Sequence, residues 1–522
     1  VGEALPETYG EVGPGKDKGR RFGVLLHPTS LPGKYGAGDL GGEARAFVDW
    51  LSDTGAGVWQ VSRVRRPLAA ARGAFRGGRK GTHALAHTQI LPLAPPERQF
   101  WSPYSAEDAN CGHTLLISLE GLAADGLLPA GDLPAPVPFK AQAEFAEVAS
   151  IKEPLLRRAA GALLDGAGGA GLGEEFAAFL ETQAFWLEDA ALFAALAGHN
   201  AGAWWDWTEA LRDREPAAMK AAAAEYAREV AEFKALQFLF NRQWMQVKQY
   251  ANSKGISIVG DMPIYVGGHS ADVWANRDLF EVDSEGKPAY VSGVPPDAFS
   301  ETGQLWGTPL YSWPKHAQGK FAWWTARLQR AFELHDVVRI DHFRAFAGFW
   351  AVAATEETAM RGEWRQGPGL KMFEALSKRF EVAEAVIAED LGVITDDVVK
   401  LREDIGAPGM VVLQFAFDGN AKNPHIPHNH YENSVCYSAT HDNETSLGWF
   451  RAQPPETQAL VCDYLRTSED DVSWGFIQAA LGSVADTAVV PLQDILSLDN
   501  AARMNTPGKA EGNWGWVAGE SG

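Results

Sequence analysis

The chain has 522 residues with 67 acidic and 46 basic side chains, a formal net charge of −21. That balance argues against nucleic acid as a global partner, because binding a polyanion needs a positive field. With 46% hydrophobic residues and no apolar run of transmembrane length, the composition is that of a soluble globular enzyme or binding protein and not of a membrane-spanning one.

Residues 1–20 are polar and contain Glu and Asp, which fits an N-terminal extension and neither a signal peptide nor an Arg/Ser-rich transit peptide. Short continuous apolar runs then recur: FGVLLH (22–27), GVWQV (57–61), ISIVGD (256–261), DVVRID (336–341), EAVIAED (384–390), MVVLQFAF (410–417), SVCYSATHD (434–442) and TAVVPLQD (487–494). Runs of this length predict strands buried on both faces. Helical patterns such as TARLQRAFEL and LKMFEALSKRF lie between most of them. Eight buried strands alternating with helices predict a (β/α)8 TIM barrel in the α/β class, with a doubly wound sheet as the alternative. From about 120 to 255 the pattern is almost wholly helical and predicts an inserted subdomain after the second strand. GAGGAGLG (166–173) follows a helix and not a strand, so it is a turn and not a dinucleotide loop. Cys111, Cys436 and Cys462 are far apart, without zinc spacing, and read as buried thiols.

In a barrel of this kind chemistry gathers at the C-terminal strand ends. Those ends carry Asp261, Arg339 with Asp341, Glu389 with Asp390, and His441-Asp442-Asn443. A lone Asp after a strand is usually a helix cap. So many charges at one mouth are harder to explain structurally, since buried charge is costly unless paired. Two carboxyls flanking a glycosidic bond are the minimum for retaining glycoside chemistry, one attacking the anomeric carbon and one protonating the leaving oxygen. The acid must be kept protonated near neutral pH, and an arginine keeps the nucleophile ionised.

Several long stretches resemble one family in its order: GVLLHPTSLPGKYGAGDLG, SPYSAEDANCG, GDMPIYV, GVPPDAFSETGQLWGTPLY, VVRIDHFRAF, VIAEDLG, ATHDNETSLGWF and ARMNTPG…GNWGW. The family is the 4-α-glucanotransferases of glycoside hydrolase family 77, the amylomaltases or disproportionating enzymes, and PPERQFWSPYSAEDANCG is most similar to the plastid type of plants and algae. The resemblance implies disproportionation of α-1,4-glucans in starch and maltodextrin metabolism, a plastid stroma location with the cytoplasm as alternative, and no cofactor or metal. It assigns Asp341 as nucleophile, Glu389 as general acid/base and Asp442 as transition-state stabiliser. Tyr104, Asp261, Gln304, Trp306, Arg339, His441 and Asn505 become substrate contacts or tune those carboxylates. The competing readings are a hydrolase acting on the same glucans and a catalytically impaired glucan-binding protein.

Within this frame residues 21–517 form one catalytic barrel. Residues 62–90 stand out, carrying Arg63, Arg65, Arg66, Arg72, Arg76, Arg79 and Lys80 without an acid. In the family the strand WQV runs directly into LPL; here Val61 and Leu91 are separated by this stretch. A nucleic-acid or membrane-binding arm and a tolerated loop are two readings of it. A translated intron or gene-model error is favoured by the abrupt join. HIPHNH groups His425, His428 and His430, but Pro424 and Pro427 without a cysteine point to a solvated loop and not to zinc. VAGESG departs from the family's usual helical end, so residues 518–522 are an atypical close that is expected to leave apolar barrel surface exposed.

Overall fold

The computed structural model describes residues 20–54, 86–98, 100–106, 108–296, 300–509 and 511–519. Eight parallel strands form the central sheet: β1 (Arg21–Leu26), β2 (Ala86–Ile90), β3 (Ile256–Pro263), β6 (Val337–Asp341), β9 (Val386–Ala388), β10 (Gly409–Val412), β11 (Ser434–Tyr437) and β12 (Thr487–Pro491). They pair in chain order, and β12 returns to lie beside β1, with Val24 opposite Val490. Between β9 and β10 no ladder forms, but the Ala388 amide donates to Pro408 O at 2.9 Å and brings the last two staves together. The result is a nearly closed (β/α)8 barrel.

The run GVWQV lies outside the described residues. The strand between β1 and β3 is instead Ala86–Ile90, inside the stretch set apart above as an insertion. It is polar to the eye because two of its side chains are buried through hydrogen bonds, on opposite faces of the strand. Thr88 Oγ1 donates to Val24 O at 3.1 Å, and Gln89 Oε1 accepts from the Tyr437 hydroxyl at 2.7 Å. Both are buried. MVVLQFAF ends as a strand at Val412 and turns into a 3-10 helix at Leu413–Phe415.

Between β2 and β3 lies the helical insertion, with long helices at Phe145–Leu164, Ala184–His199 and Ala227–Ser253. The last of these turns Ala235, Phe238, Leu239, Val247 and Ala251 inward, the three-to-four-residue spacing of a helix buried on one side. Two of its glutamines pin the preceding loop as a neighbouring strand would. Gln237 accepts from the Gly112 amide at 2.7 Å and donates to Gly112 O at 3.1 Å, and Gln243 treats Ser118 the same way.

A second sheet, antiparallel and absent from the sequence expectation, stands at the barrel mouth. Its strands are β4 (Tyr290–Val294), β5 (Gln304–Pro309), β7 (Gly348–Ala353) and β8 (Gly362–Gln366), in the order β5-β4-β7-β8. At the other edge of the mouth the C-terminal segment is tied down. Ala143 N donates to Gly515 O, Val517 N to Ala141 O and Ala518 N to Ser30 O. Trp514, Trp516, Val517 and Ala518 are buried.

Candidate active site

Arg339 is the hub of the site. It enters near the end of β6 and is buried, and its guanidinium has three acidic or soft neighbours. Nη1 donates to both carboxylate oxygens of Asp261 at 2.7 and 2.6 Å, Nη2 to Asp341 Oδ1 at 2.8 Å, and Nε to Met410 Sδ at 3.4 Å. The parallel register of β3 and β6 sets Asp261 directly beside Arg339, so strand pairing itself fixes the ion pair. Asp261 is further held by the Tyr104 hydroxyl at 2.8 Å. Removing one partner from such a buried group leaves uncompensated charge, at a cost of about 3–5 kcal/mol.

Glu389 follows β9 and is locked by backbone amides. Its Oε2 accepts from His342 N at 2.7 Å and its Oε1 from Leu391 N at 2.8 Å. The first of these amides belongs to the residue after Asp341, so the two acids sit on adjoining loops. His342 has a left-handed backbone, φ 53°. That conformation is costly outside glycine and is characteristic of functional turns. It turns the His342 amide onto Glu389. Burial, then the charge of Asp341, raise Glu389 to about 8, and Arg339 and the two amides oppose the rise. Asp341 is raised by burial too, with Arg339 as the largest opposing influence.

Asp442 lies on the loop after β11. Its Oδ1 accepts from Asn505 Nδ2 at 2.6 Å and is 3.4 Å from His441 Nε2. Arg503 holds the same corner through the backbone, donating from Nη2 to Asp442 O and from Nε to Asn505 O, both at 2.7 Å. Tyr104 stacks on His441 with ring centroids 5.0 Å apart and 13° between planes, and Trp514 packs against both rings. Tyr104 thus links the Asp261–Arg339–Asp341 cluster to the His441–Asp442–Asn505 cluster.

Gln304 and Trp306 come from β5. Trp306 Nε1 donates to Gln304 Oε1 at 3.2 Å, and the indole meets the His342 ring edge-on at 4.7 Å with 38% of its surface exposed. All ten candidate residues accordingly belong to one connected constellation. Asp390 does not, although it was grouped with the mouth carboxylates. It points to Arg402 at 3.1 Å and accepts from Met410 N, and so helps to join β9 to β10. The three histidines of HIPHNH face three different ways. His425 Nδ1 accepts from Val412 N, His428 Nδ1 meets the Tyr464 hydroxyl, and His430 lies between Ser483 and His425 O. His342, Arg503 and Trp514 escaped the sequence reading. His342 and Arg503 stand one and two residues from a residue that was chosen, and Trp514 lies in the GNWGW stretch.

The sequence profile of the 4-alpha-glucanotransferases, glycoside hydrolase family 77, matches residues 26–72 and 79–519. The chain belongs to this family. The glucanotransferase is 49% identical over 522 residues to the chloroplastic/amyloplastic 4-alpha-glucanotransferase of Arabidopsis thaliana, covering 99% of this chain and 85% of that one. Identity to the Thermus thermophilus 4-alpha-glucanotransferase is 42%, covering 95% and 94% of the two chains. Among solved structures, the Streptococcus agalactiae amylomaltase in complex with acarbose superposes with a TM-score of 0.86 at 32% identity, covering 96% of this chain and 95% of that one. The enzyme is a 4-α-glucanotransferase that disproportionates α-1,4-glucans. Its relatives include both plant plastid and bacterial enzymes.

Proposed function

We propose that Asp341 is the nucleophile, Glu389 the general acid/base and Asp442 the transition-state stabiliser of a retaining transfer. Asp341 attacks the anomeric carbon of a bound glucan and forms a β-linked glucosyl ester while Glu389 gives its proton to the departing 4-oxygen. The 4-hydroxyl of a second glucan then attacks the ester carbon from the vacated side, Glu389 takes its proton, and Asp341 leaves as carboxylate. The observation that carries this reading is the contrast between the two acids. One is bonded to a buried arginine at 2.8 Å; the other is held by backbone amides alone and raised to about 8. Burial raises both groups, and the direct bond to a buried cation suits Asp341 to carry the nucleophile's negative charge while Glu389 has no cation bonded to it.

Asp442, bonded to Asn505, places negative charge beside the ring that becomes oxocarbenium-like, which favours the transition state over bound substrate. Asp261, Tyr104 and Arg339 hold the nucleophile's charge and orientation. His441 Nδ1 and His342 Nε2 are buried without a hydrogen-bond partner among the described residues, which suits them to sugar hydroxyls. Trp306 offers a ring face for a glucose to stack on, with Gln304 steadying the indole. Similarity to the plant chloroplastic enzymes supports a plastid stroma location.

Incubation with maltotriose tests the reading. Glucose together with a ladder of longer maltodextrins is expected, and Asp341→Asn should abolish both. Glucose and maltose without longer products would make the protein a hydrolase.

A further inference from the structure

A carboxylate outside the catalytic set controls the loop that presents Asp442. Asp494 lies three residues past the end of β12 in the short helix Leu492–Ile495, and its side chain has no exposed surface. Its three hydrogen bonds come from two residues. Ser438 Oγ donates to Oδ2 at 2.7 Å, Ser446 Oγ donates to Oδ2 at 2.7 Å, and Ser446 N donates to Oδ1 at 2.8 Å. Ser438 directly follows β11, and Ser446 is the first residue of the helix Ser446–Ala452. The segment between them carries Thr440, His441, Asp442 and Asn443. One carboxylate therefore ties down both ends of the Asp442 loop and fastens them to the next barrel strand.

Within the loop, Asn443 Oδ1 accepts from Thr440 N and Oγ1, and Thr440 Oγ1 accepts from Asp442 N. From outside, Arg503 and Asn505 hold its middle at Asp442 and His441, and Gln414 Nε2 donates to Glu444 O, but Asp494 is the side chain that bonds both of its ends. Among the described residues no lysine or arginine is bonded to Asp494, so its carboxyl is buried without a counter-ion, an arrangement that costs stability. An apolar residue would serve a purely structural corner more cheaply. The same turn reaches the opposite flank of the site, since Gln493 Nε2 donates to Ala502 O, next to Arg503 and three residues before Asn505.

We propose that Asp494 is a positioning residue that sets Asp442 against the reacting ring by pinning both ends of its loop. This rests on Asp442 acting in the transition state. A displacement of about 1 Å at a catalytic group costs on the order of 10²-fold in rate, so loss of the pin should appear in kcat and leave KM for maltotriose nearly unchanged.

The test compares Asp494→Ala, Asp494→Asn and Asp442→Asn with the parent by glucose release from maltotriose and by affinity for acarbose, a cationic pseudo-sugar. Asp494→Ala should lower kcat about 100-fold, change KM less than threefold and weaken acarbose in step with kcat. Asp494→Asn can still accept from Ser446 N and offer its amide to the two rotatable hydroxyls, so it should recover most of the rate. In the Asp442→Asn background, Asp494→Ala should cost little more, because the group it positions is already gone. If Asp494→Ala does not fold, Ser438→Ala combined with Ser446→Ala removes two of the three bonds and should still reduce kcat at least tenfold. A folded Asp494→Ala or double-serine variant with parental kcat overturns the proposal while Asp442→Asn is inactive. An active Asp442→Asn overturns instead the reading on which the proposal stands.

Discussion

Among the described residues Arg339 is the one guanidinium bonded to both Asp261 and Asp341, and a lysine cannot reproduce its planar fork. Arg339→Lys should therefore weaken the cation that opposes the effects of burial and of Asp261 on Asp341. The nucleophile would hold its proton to higher pH, so the acidic limb of kcat/KM should move upward; an unmoved limb would separate Arg339 from the nucleophile's ionisation. Glu389 in its proposed role acts as acid only while protonated, so kcat/KM should fall as pH passes about 8. The same group also loads stability. Its folded pKa lies above its ordinary value of 4.5, so the folded state holds the proton more tightly than the unfolded chain. That contribution is complete below about 4.5 and is lost as pH rises through about 8. Glu389→Gln cannot ionise. It should be nearly inactive yet melt a few degrees above the parent at pH 9, with little difference at pH 4, as thermal unfolding at both values would show.

At the scale of elements, the second sheet serves the barrel by bringing Gln304 and Trp306 over the mouth. Trp306→Ala removes the indole from β5 without touching the acids. It should raise KM for maltotriose about tenfold with a smaller change in kcat and no shift in either pH limb, since stacking on a sugar ring is largely uniform binding. This sheet was not legible in the sequence. GEWRQ and QLWGTP are short, exposed and free of a clear two-residue alternation, so nothing marks them as strands before the barrel is there to support them. The seven apolar barrel runs within the described residues were legible because strands covered on both faces are apolar throughout. AHTQI was missed for the converse reason, with Thr88 and Gln89 buried through hydrogen bonds and not through hydrophobicity. His342 follows the same logic. Its role rests on a left-handed backbone that no composition reveals. Asp494, by contrast, stood at the end of TAVVPLQD, where the strand-end rule applied to Asp261 and Glu389 would have found it.

Across the whole molecule, the basic stretch and the barrel meet at β2. Gln89 stands two residues before Leu91 and accepts the Tyr437 hydroxyl inside the barrel. In the sequence Gln60 stands one residue before Val61, so joining Val61 to Leu91 sets a glutamine at the same distance from the LPL turn. A variant lacking residues 62–90 should therefore fold, retain the maltotriose ladder and melt no lower than the parent. Loss of both activity and cooperative melting would make the stretch integral to the barrel. The site itself was legible as a set of charges at strand ends. Which charge faces which was not, because that depends on register. Asp390 and Glu389 are neighbours in the chain, yet one joins staves while the other faces Asp341.

On the proposed roles, the charge of Asp341 beside Glu389 would let the catalytic cycle reset itself. Once the sugar esterified Asp341, that residue would carry no charge, and one of the two influences that raise Glu389 would disappear. The acid that has just spent its proton is left in surroundings that favour it as a base, while the next acceptor hydroxyl arrives with a proton to give. When that acceptor takes the sugar, the carboxylate of Asp341 is restored and Glu389 again prefers to be protonated. Proton affinity would then alternate with the covalent state of its neighbour, so that two successive half-reactions could run at one ambient pH.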